Sequence, residues 1–299
     1  MLDLLTASDV DAADEWTLLE QASFNTVYRV RSSSGGLIVK LAPAPGTPTM
    51  TYERDLLRTE ALFYQANAAV APVPTVVHTD FTRRIVPGDV LVMTELPGAA
   101  WNSRPRAPRL RAELGGLVAA LHRTTGTGFG YPHAPLAPSW RTAFSAMLSA
   151  VLADAERFGV PLPLENLFAY LSILDEVEQP VLVHFDLWPG NILVDGHTVT
   201  GLIDAERAFW GDPLADLVSL ALFKDIERDD DFLRGYREAG GTVDFDETTR
   251  RRLALYRCYL YLIMLVETVP RGDGRPAMTK LVSTHLTRAL SALTSGTAS

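Results

Sequence analysis

The first third of the chain alternates short apolar segments with polar turns. Five of these segments are rich in β-branched and aromatic residues, and Ser, Gly or Pro residues separate most of them. They lie at 17–19, 26–30, 37–41, 75–77 and 90–94. This spacing is typical of a meander of antiparallel strands. Between the third and fourth segments, apolar residues recur at helical spacing, which predicts a helix over 52–68.

The pattern changes to a helical period after Pro97 and Gly98. Leucines recur at helical spacing in the next segment, which predicts a helix over 109–123. Further helices are predicted over 141–158, over 164–178 and from about 214 to the end, and two short strands are predicted at 181–183 and 192–194. A β-rich first third and a helix-rich remainder predict an α+β fold with two lobes, residues 1–96 and residues 97–299.

Composition narrows the class of protein without defining it. The chain has 299 residues and a formal net charge of −9, which argues against a nucleic-acid-binding protein, because such a protein needs a basic face. Its longest apolar run, 258–266, is far shorter than the roughly 20 residues of a membrane-spanning helix. The N-terminus lacks the pattern of a signal peptide, and the single cysteine, Cys258, is expected to pack in the core. We therefore expect a cytoplasmic protein with no nucleic-acid or membrane partner, and the sequence leaves the oligomeric state open.

The strongest chemical signal is the segment from His184 to Asn191. It follows an apolar strand and reads H-F-D-L-W-P-G-N, which matches the kinase catalytic-loop pattern H-x-D-x-x-x-x-N. In that pattern Asp186 receives the proton of a substrate hydroxyl and Asn191 holds a metal ion. A second carboxylate, Asp204, ends another apolar strand. Because Mg²⁺ prefers oxygen ligands, Asp204 and Asn191 are the predicted magnesium ligands.

These segments together resemble the aminoglycoside phosphotransferase and fructosamine kinase superfamily. The family pattern is H-G-D-L-x-x-G-N, then I-D, then G-D-P-x-x-D-L, and the chain matches it in order at 184–191, 203–204 and 211–217. The resemblance implies a bilobal protein-kinase-like fold with a small β-rich N-terminal lobe and a larger helical C-terminal lobe. It also implies Mg-ATP as the phosphate donor and a small-molecule hydroxyl as the acceptor. The family glycine after the histidine is Phe185 here, and we expect that side chain to reshape the acceptor pocket.

The resemblance also implies a lysine on the third strand that contacts the α- and β-phosphates. In kinases a helix glutamate holds this lysine in place. Lys40 ends the third strand segment, and Glu60 on the following helix is its predicted partner. Glu53, two turns earlier, is the alternative partner.

The nucleotide is expected to lie between a phosphate-covering turn and a hinge. The turn at 21–25 lacks the glycines of a glycine-rich loop, so its candidate phosphate contacts are backbone N–H groups, Ser23 and Asn25. The hinge follows the fifth strand segment. By resemblance, main-chain groups of Glu95 and Leu96 are expected to bind adenine. The sequence does not decide between ATP and GTP.

Other motif residues are expected to support the loop. His184, Asp212 and Asp216 are predicted to hold the catalytic loop and the helix that follows it. Trp188 and Trp210 either line the acceptor site or pack in the interior, and the sequence leaves both alternatives open.

The leading hypothesis for the acceptor is an aminoglycoside-type antibiotic, which would make the protein a resistance enzyme. Acidic residues of the helical part would bind its ammonium groups. The candidates are Asp154, Glu156, Asp175 and Glu176. The alternative is a metabolic kinase for a sugar, an amino sugar or a ketoamine. A remote alternative is a nucleotide-binding protein without catalytic activity.

Overall fold

The structure, a computed structural model, describes most of the chain. The described residues are 15–19, 24–32, 35–103, 107–162, 166–272 and 274–294. The predicted phosphate contact Ser23 lies outside these described residues.

The N-terminal part contains a five-stranded antiparallel sheet. Its strands are β1 (Glu15–Leu18), β2 (Thr26–Ser32), β3 (Gly35–Leu41), β4 (Val76–Asp80) and β5 (Val90–Thr94), in the spatial order β1-β2-β3-β5-β4. Alternation along the strands gives the sheet two apolar faces, because successive side chains point to opposite sides. One face carries a small cluster around Val39 and Val92, and the other places Leu91 and Met93 in the main core.

Seven helices are described, one beside this sheet and six in the rest of the chain. They are α1 (Leu56–Asn67), α2 (Pro108–Leu121), α3 (Trp140–Arg157), α4 (Leu214–Leu220), α5 (Asp230–Glu238), α6 (Glu247–Val266) and α7 (Pro276–Thr294). The helix predicted over 52–68 begins only at Leu56, because Asp55 has a left-handed backbone with φ 54°. A helix cannot continue through that conformation.

The helix predicted over 164–178 is shorter and of the 3₁₀ type. It covers Leu167–Leu174, and residues 163–165 lie outside the described part of the chain. Their buried leucines recur every three to four positions, Leu167, Leu171 and Leu174, so the apolar spacing is the same for both kinds of helix. Tight hydrogen bonds, such as the one from Ala169 N–H to Asn166 O, define the 3₁₀ form, and apolar periodicity does not report them.

Small strands carry the sequence motifs between the helices. They are β6 (Ala99–Ala100), β7 (Val181–Val183), β8 (Ile192–Asp195), β9 (Thr198–Leu202) and β10 (Phe209–Gly211). Strands β6, β8 and β9 form one sheet, and β7 pairs with β10. The catalytic-loop motif lies between β7 and β8, and Asp204 follows β9. Below them α6 is buried along most of its length, including Cys258, and packs against α3, α4 and α7.

Membrane insertion through a helix finds no support in this fold. Among the described ranges, no helix combines the length and the apolar character that a bilayer span requires.

Candidate active site

The candidate catalytic loop is held at its backbone by α4. The carboxylate of Asp216, which is fully buried, accepts hydrogen bonds from His184 N–H at 3.2 Å and from Phe185 N–H at 2.6 Å. One turn later on α4, the hydroxyl of Ser219 accepts a bond from Leu187 N–H at 3.0 Å. These three anchor points, on both sides of Asp186, fix the direction of the loop backbone there.

Asp216 and Asp212 are themselves held by neighbouring helices. Asp216 Oδ2 lies 3.2 Å from His122 Nε2, and His122 Nδ1 lies 2.8 Å from the Tyr236 hydroxyl. Asp212 accepts from Leu214 N–H at 2.9 Å, at the start of α4, and from the Tyr256 hydroxyl at 2.7 Å. Asp216 holds the backbone of the catalytic loop, and Asp212 holds the first turn of α4. That this support serves catalysis stays a prediction.

His184 connects the loop to the strand that precedes Asp204. Its Nε2 lies 3.0 Å from the Ile203 carbonyl oxygen, and its Nδ1 lies 3.2 Å from Asp186 N. Burial lowers the pKa of His184, so the ring is neutral at pH 7. In one tautomer Nε2–H donates to Ile203 and Nδ1 accepts from Asp186, which accounts for both contacts at once.

Phe185 occupies a backbone conformation that suits the glycine of the family pattern. Its φ is 60°, and the left-handed region costs a non-glycine residue about 1–2 kcal/mol. The ring is buried and packs against Phe209, with ring centres 4.9 Å apart, and against Tyr259. Contrary to our expectation from the sequence, this side chain fills the core behind the loop rather than an acceptor pocket.

Asp186 lies beside Asn191 and Arg207. The side-chain amide of Asn191 donates to the backbone oxygen of Asp186 at 2.9 Å and to Asp186 Oδ2 at 3.1 Å. Arg207 Nε lies 3.8 Å from the same carboxylate oxygen. Burial raises the pKa of Asp186 to about 6, although Arg207 opposes the shift. A carboxylate with such a pKa can accept a proton near neutral pH.

A second cluster is centred on Lys40. Its Nζ donates to both carboxylate oxygens of Glu60, at 2.7 and 2.9 Å, and to Asp204 Oδ1 at 2.6 Å. The Tyr64 hydroxyl donates to Glu60 at 2.6 Å and accepts from Asp204 N–H at 2.8 Å. Burial alone would lower the pKa of Lys40, but the charges of Asp204 and Glu60 outweigh it and raise that pKa. The lysine is therefore a permanent cation between two carboxylates.

Glu53, the alternative partner of Lys40, is engaged elsewhere. Its carboxylate is buried, accepts from Met50 N–H at 2.7 Å and pairs with Arg271. It is therefore not the partner of Lys40 in this structure, and the structure instead places Glu60 at that position.

Sequence reasoning missed Glu206 as a member of this site. One carboxylate oxygen each from Glu60, Asp204 and Glu206 lie within 4.8 Å of one another. The side-chain amide of Asn25 donates to Glu206 at 2.7 Å, and burial raises the pKa of Glu206 to about 8. The sequence feature that could have identified Glu206 is the D-x-E spacing after β9, which places it two residues after Asp204.

The donor set of this region fits Mg²⁺ with nucleotide phosphates. Asp204 and Glu206 offer carboxylate oxygens and Asn191 an amide oxygen, and Mg²⁺ binds few protein oxygens while keeping phosphate and water ligands. Asn25 Oδ1 is buried and has no hydrogen-bond partner among the described residues. A buried polar atom without a partner is costly, and this amide oxygen would be satisfied by a metal ion or by a hydrogen-bond donor such as a metal-bound water.

A cavity of about 480 Å³ extends from this cluster along the sheet. Its apolar lining includes Val27, Met93 and Leu193, and Glu95 and Leu96 lie at its edge. Glu95 N–H already donates to the Gly36 carbonyl at 2.9 Å. The predicted adenine contacts are thereby restricted to the Glu95 carbonyl and the main chain of Leu96.

The two tryptophans left open by the sequence have different environments. Trp188 is 37 % exposed and borders a second cavity, of about 820 Å³, in the helical part. Trp210 covers Gly126 so closely that a Cβ at that glycine would lie 2.6 Å from its ring. Trp210 therefore packs, and Trp188 is the one that borders a cavity.

The acidic residues predicted to bind ammonium groups of an acceptor do not line the cavity at Trp188. The carboxylate of Asp154 is buried, accepts from Thr51 N–H at 2.6 Å and pairs with Arg157 at 2.6 Å. Asp175 pairs with Arg141 at 2.9 Å. Neither these two nor Glu156 and Glu176 are among the residues that line the cavity at Trp188.

A β-sheet with a buried Lys–Glu pair, facing an H-x-D-x-x-x-x-N loop and an aspartate after the next strand, defines a protein-kinase-like phosphotransferase. The model of the phosphotransferase enzyme family matches residues 15–256. The chain belongs to this family, which confirms the family and the class of enzyme that its motifs predict.

Solved structures with the same fold cover nearly the whole chain. A candidate fructosamine-3-kinase from Haemophilus somnus has a TM-score of 0.67 at 17 % identity, over 93 % of this chain and 92 % of that one. A macrolide 2′-phosphotransferase from Brachybacterium faecium has 0.62 at 19 %, over 95 % and 97 %. A thermostable mutant of the aminoglycoside phosphotransferase APH(4)-Ia, in a ternary complex with AMP-PNP and hygromycin B, has 0.66 at 16 %, over 100 % and 99 %. These similarities confirm the bilobal kinase-like α+β fold. Among curated proteins no sequence match is found.

Proposed function

We propose that this protein transfers the γ-phosphate of Mg-ATP to a hydroxyl group of a small molecule. The observation that carries the proposal is the meeting of side chains that are far apart in the sequence. Lys40 contacts Glu60 and Asp204, and the charge of Asp204 contributes to the raised pKa of Asp186. The phosphate-holding and hydroxyl-orienting groups of a kinase are thus within electrostatic reach of each other.

Each residue has a separate role in this proposal. Lys40 holds phosphate oxygens, and Asn191 and Asp204 hold Mg²⁺, with Glu206 as a further oxygen donor. When bound, Mg²⁺ neutralises negative charge on the phosphates as the phosphoryl group moves. Asp186 orients the acceptor hydroxyl and accepts its proton. Because its pKa is about 6, the carboxylate is mostly ionised at pH 7.

The nucleotide is proposed to lie in the cavity of about 480 Å³ beside the sheet. Residues 1–96 would form the nucleotide-binding lobe, and residues 97–299 the catalytic and acceptor-binding lobe. Asn25 lies close to the phosphate position through its bond to Glu206. A phosphate contact from Ser23 stays a prediction.

Two acceptor classes follow from what the similar structures bind or act on. The aminoglycoside hypothesis draws support from the aminoglycoside phosphotransferase with hygromycin B. The sugar or ketoamine alternative draws support from the candidate fructosamine-3-kinase. The four acidic residues that would have bound ammonium groups give the first hypothesis no support, because they do not line the cavity beside the catalytic loop.

Coupled ADP release with Mg-ATP tests the proposal against a panel of aminoglycosides, amino sugars, sugars and ketoamines. We expect turnover on one class, and a loss of about 10²–10⁴-fold in kcat for Asp186→Ala, the range for removing a positioned acid–base group. Asp195→Ala is the matched control, since Asp195 is exposed at the end of β8 and should leave kcat unchanged. Nucleotide binding is measured separately by calorimetry.

The outcomes separate the candidate functions. A chain that binds no Mg-ATP contradicts the phosphotransferase proposal. Mg-ATP binding with equal, slow ADP release in the parent protein and in Asp186→Ala, whatever acceptor is added, favours the non-catalytic alternative.

A further inference from the structure

The cavity at Trp188 directly adjoins the candidate catalytic loop. It has a volume of about 820 Å³, within the range of pockets that hold small-molecule ligands. Trp188 and Pro189 form part of its wall, and they follow Asp186 by two and three positions. Trp101 also lines the cavity, as do Tyr261 of α6 and His285 of α7. A ligand bound here would lie beside the loop that carries Asp186.

The charges around this cavity are mostly positive. Its cationic lining residues are Arg111, Lys224, Arg228, Arg257 and Arg288, and its carboxylates are Asp225 and Asp229. We call this site the basic cavity. Burial lowers the pKa of His285, so His285 adds no charge at pH 7. The excess of cations over carboxylates makes the basic cavity a site for negative charge.

Both carboxylates of the basic cavity are already paired with protein cations. Asp229 lies 2.8 Å from the Arg111 guanidinium, and Asp225 lies 3.5 Å from that of Arg257. An ammonium group of a ligand would therefore have to displace an arginine to find a carboxylate here. Ammonium binding is thus disfavoured both by the net charge and by the existing ion pairs.

Two cations of the basic cavity, Lys224 and Arg288, differ from its carboxylates. Within the described part of the chain, neither cation has an ion-pair partner. Both side chains are exposed, Lys224 after α4 and Arg288 on α7. Like charges that line one cavity repel each other, and a bound anion relieves that repulsion. These two cations are therefore available to a ligand.

The segment that presents Lys224 has a strained backbone. Phe223 has a φ of 60°, an unfavourable conformation for an aromatic residue, and such strain concentrates at functional sites. The ring of Phe223 stacks on Tyr261 with centres 5.7 Å apart, and it contacts His285 at 5.0 Å. Lys224 N–H closes the turn by donating to Ala221 O at 2.7 Å. The aromatic stack holds the turn so that Lys224 stands at the rim of the cavity.

We propose that the basic cavity binds the phosphate acceptor, and that this acceptor is a hydroxylated small molecule carrying a carboxylate or phosphate group. The inference rests on the proposed phosphotransferase function and narrows its acceptor. The anionic group lies between Lys224 and Arg288, and an apolar face of the molecule lies on Trp188. A polycationic aminoglycoside is a poor match for this site.

The first test compares acceptors that share one scaffold and differ in the charge of a single substituent. One series is glucosamine, glucose, glucuronate and glucose 6-phosphate; the other is tyramine, tyrosol and 4-hydroxyphenylacetate. Binding to the full chain is measured by calorimetry with Mg²⁺ and a non-hydrolysable ATP analogue, and turnover by ADP release. We expect an anionic member of at least one series to bind about tenfold or more tighter than its neutral and cationic relatives, as expected for one charge-assisted contact. The glucuronate and glucose 6-phosphate arms distinguish a carboxylate from a phosphate.

The second test reverses the charge of the two unpaired cations. Lys224→Glu combined with Arg288→Glu should weaken binding of the preferred anion by roughly tenfold to a hundredfold, with nucleotide binding retained as the check on folding. Lys280→Glu is the matched control, because Lys280 is exposed on the same helix α7 and does not line the cavity. It should change neither binding constant.

The outcomes keep this inference apart from the proposed function. A preference for the cationic member, no preference by charge in either series, or unchanged anion binding in the double variant overturns the anionic-acceptor proposal. Turnover of an aminoglycoside together with any of these results leaves the phosphotransferase function standing. Anion binding that depends on Lys224 and Arg288, in a protein that binds no Mg-ATP, supports the cavity and contradicts the phosphotransferase function.

Discussion

The cluster around Lys40 and the basic cavity both bring charged side chains together, but they differ in how far those charges are paired. Lys40 is buried and contacts Glu60 and Asp204 directly. In the basic cavity, Lys224 and Arg288 have no ion-pair partner within the described residues. The cation of the first cluster is paired within the protein, whereas the second site leaves two cations for a ligand to neutralise. We infer that the first site is built for a fixed reaction geometry and the second for recognition.

The two sites also differ in the secondary-structure elements that supply their residues. The groups around Lys40 follow the ends of strands and one buried helix face, where hydrogen bonds and packing restrict their positions. The basic cavity takes residues from the 3₁₀ turn Trp101–Ser103, from α2, from the segment after α4 and from α6 and α7. Its exposed cations, Lys224 and Arg288, can change without cost to the core, so acceptor specificity can vary on a constant catalytic centre.

Of the two charged sites, the larger effect is expected from removing the cation of the Lys40 cluster. Lys40→Met leaves Glu60, Asp204 and Glu206 without their shared counter-ion, so kcat/KM should fall by roughly 10²–10³-fold, the size of effect for losing one preorganised charge. Glu60→Gln keeps the shape but weakens the hold on Lys40, and its loss should be smaller. ADP-release kinetics at saturating acceptor measure both variants.

A double variant shows whether Lys40 and Glu60 act as a unit. Lys40→Met combined with Glu60→Gln should be no worse than Lys40→Met alone, because Glu60 then has no lysine to position. Losses that simply multiply would show that Glu60 has an independent role. Retention of more than half the activity in Lys40→Met would refute the importance of the cluster altogether.

Phe185 tests how packing holds the catalytic loop, because its ring is buried in the core behind that loop. Truncating a buried phenylalanine costs about 3–5 kcal/mol, and relief of the left-handed strain returns about 1–2 kcal/mol if glycine replaces it. Phe185→Gly should therefore lower the free energy of unfolding by roughly 2–3 kcal/mol. Urea unfolding followed by circular dichroism measures the change.

Alanine at the same position provides the matched control. Alanine loses the ring but keeps the strain, so Phe185→Ala should be less stable than Phe185→Gly by about 1 kcal/mol. In an ordinary helix or strand the order would be the reverse. A more stable alanine variant would show that the left-handed backbone at Phe185 is not the conformation in solution.

The sequence predicted most strands and most of the candidate site because those features have local patterns. The motif spacing predicted Asp186, Asn191 and Asp204 as site residues, and a β-branched segment between polar turns predicted β3, the strand that carries Lys40. The pairing of Lys40 with Glu60 rather than Glu53 depended on how α1 packs on the sheet. The left-handed backbone at Asp55 starts α1 after Glu53, and no propensity predicts that conformation for a particular aspartate.

The basic cavity could not be predicted, because no spacing along the chain connects its walls. Arg111 and Arg288 are far apart in sequence, and each occurs in a helix whose charged residues read as a solvated surface. Net charge was misleading as well, since the chain carries −9 overall while this cavity is lined mainly by cations. Local potential depends on which helix faces meet, which tertiary packing determines.

A smaller effect is expected where the catalytic loop meets the basic cavity, at Gly190. A Cβ at Gly190 would lie 2.1 Å from the Trp188 ring, so Gly190→Ala must displace that ring from its place in the cavity wall. We expect acceptor binding to weaken by about tenfold, as for a modest misplacement near a reacting group, with nucleotide binding unchanged. The same calorimetric titrations measure both constants.

Removing the ring tests that explanation directly. In a Trp188→Ala background, Gly190→Ala should have almost no further effect, because the methyl group then meets no ring. An undiminished effect in that background would place its origin in the loop backbone. A parallel loss of nucleotide binding would mean that the basic cavity and the Lys40 cluster are not independent sites.

The smallest effect concerns a third charge cluster, around Asp89 at the start of β5, whose ion pairs include neither Lys40 nor a residue of the basic cavity. It calibrates what paired charges contribute to stability alone. Asp89 is buried and accepts hydrogen bonds from Arg58 at 2.8 Å and from Arg83 at 2.7 Å. Burial would raise the pKa of Asp89, but the two arginines outweigh it and hold that pKa below its ordinary value. Asp89→Asn should therefore lower the free energy of unfolding by about 1–2 kcal/mol at pH 7, the scale of a hydrogen bond to a charged partner.

The pH dependence of that difference follows from the direction of the shift. A lowered pKa in the folded state stabilises the protein at every pH above the ordinary aspartate value of about 4, and the contribution disappears as the pH falls through the folded value. Urea unfolding of the parent protein and of Asp89→Asn should thus give a constant difference from pH 7 to pH 5 and a shrinking one below about pH 4. Asp55→Asn, which removes the more exposed carboxylate beside the same arginines, should show a smaller difference throughout. A difference that grows on acidification would contradict the ion pairing of Asp89, and with it the use of this cluster as a purely structural reference for the two functional ones.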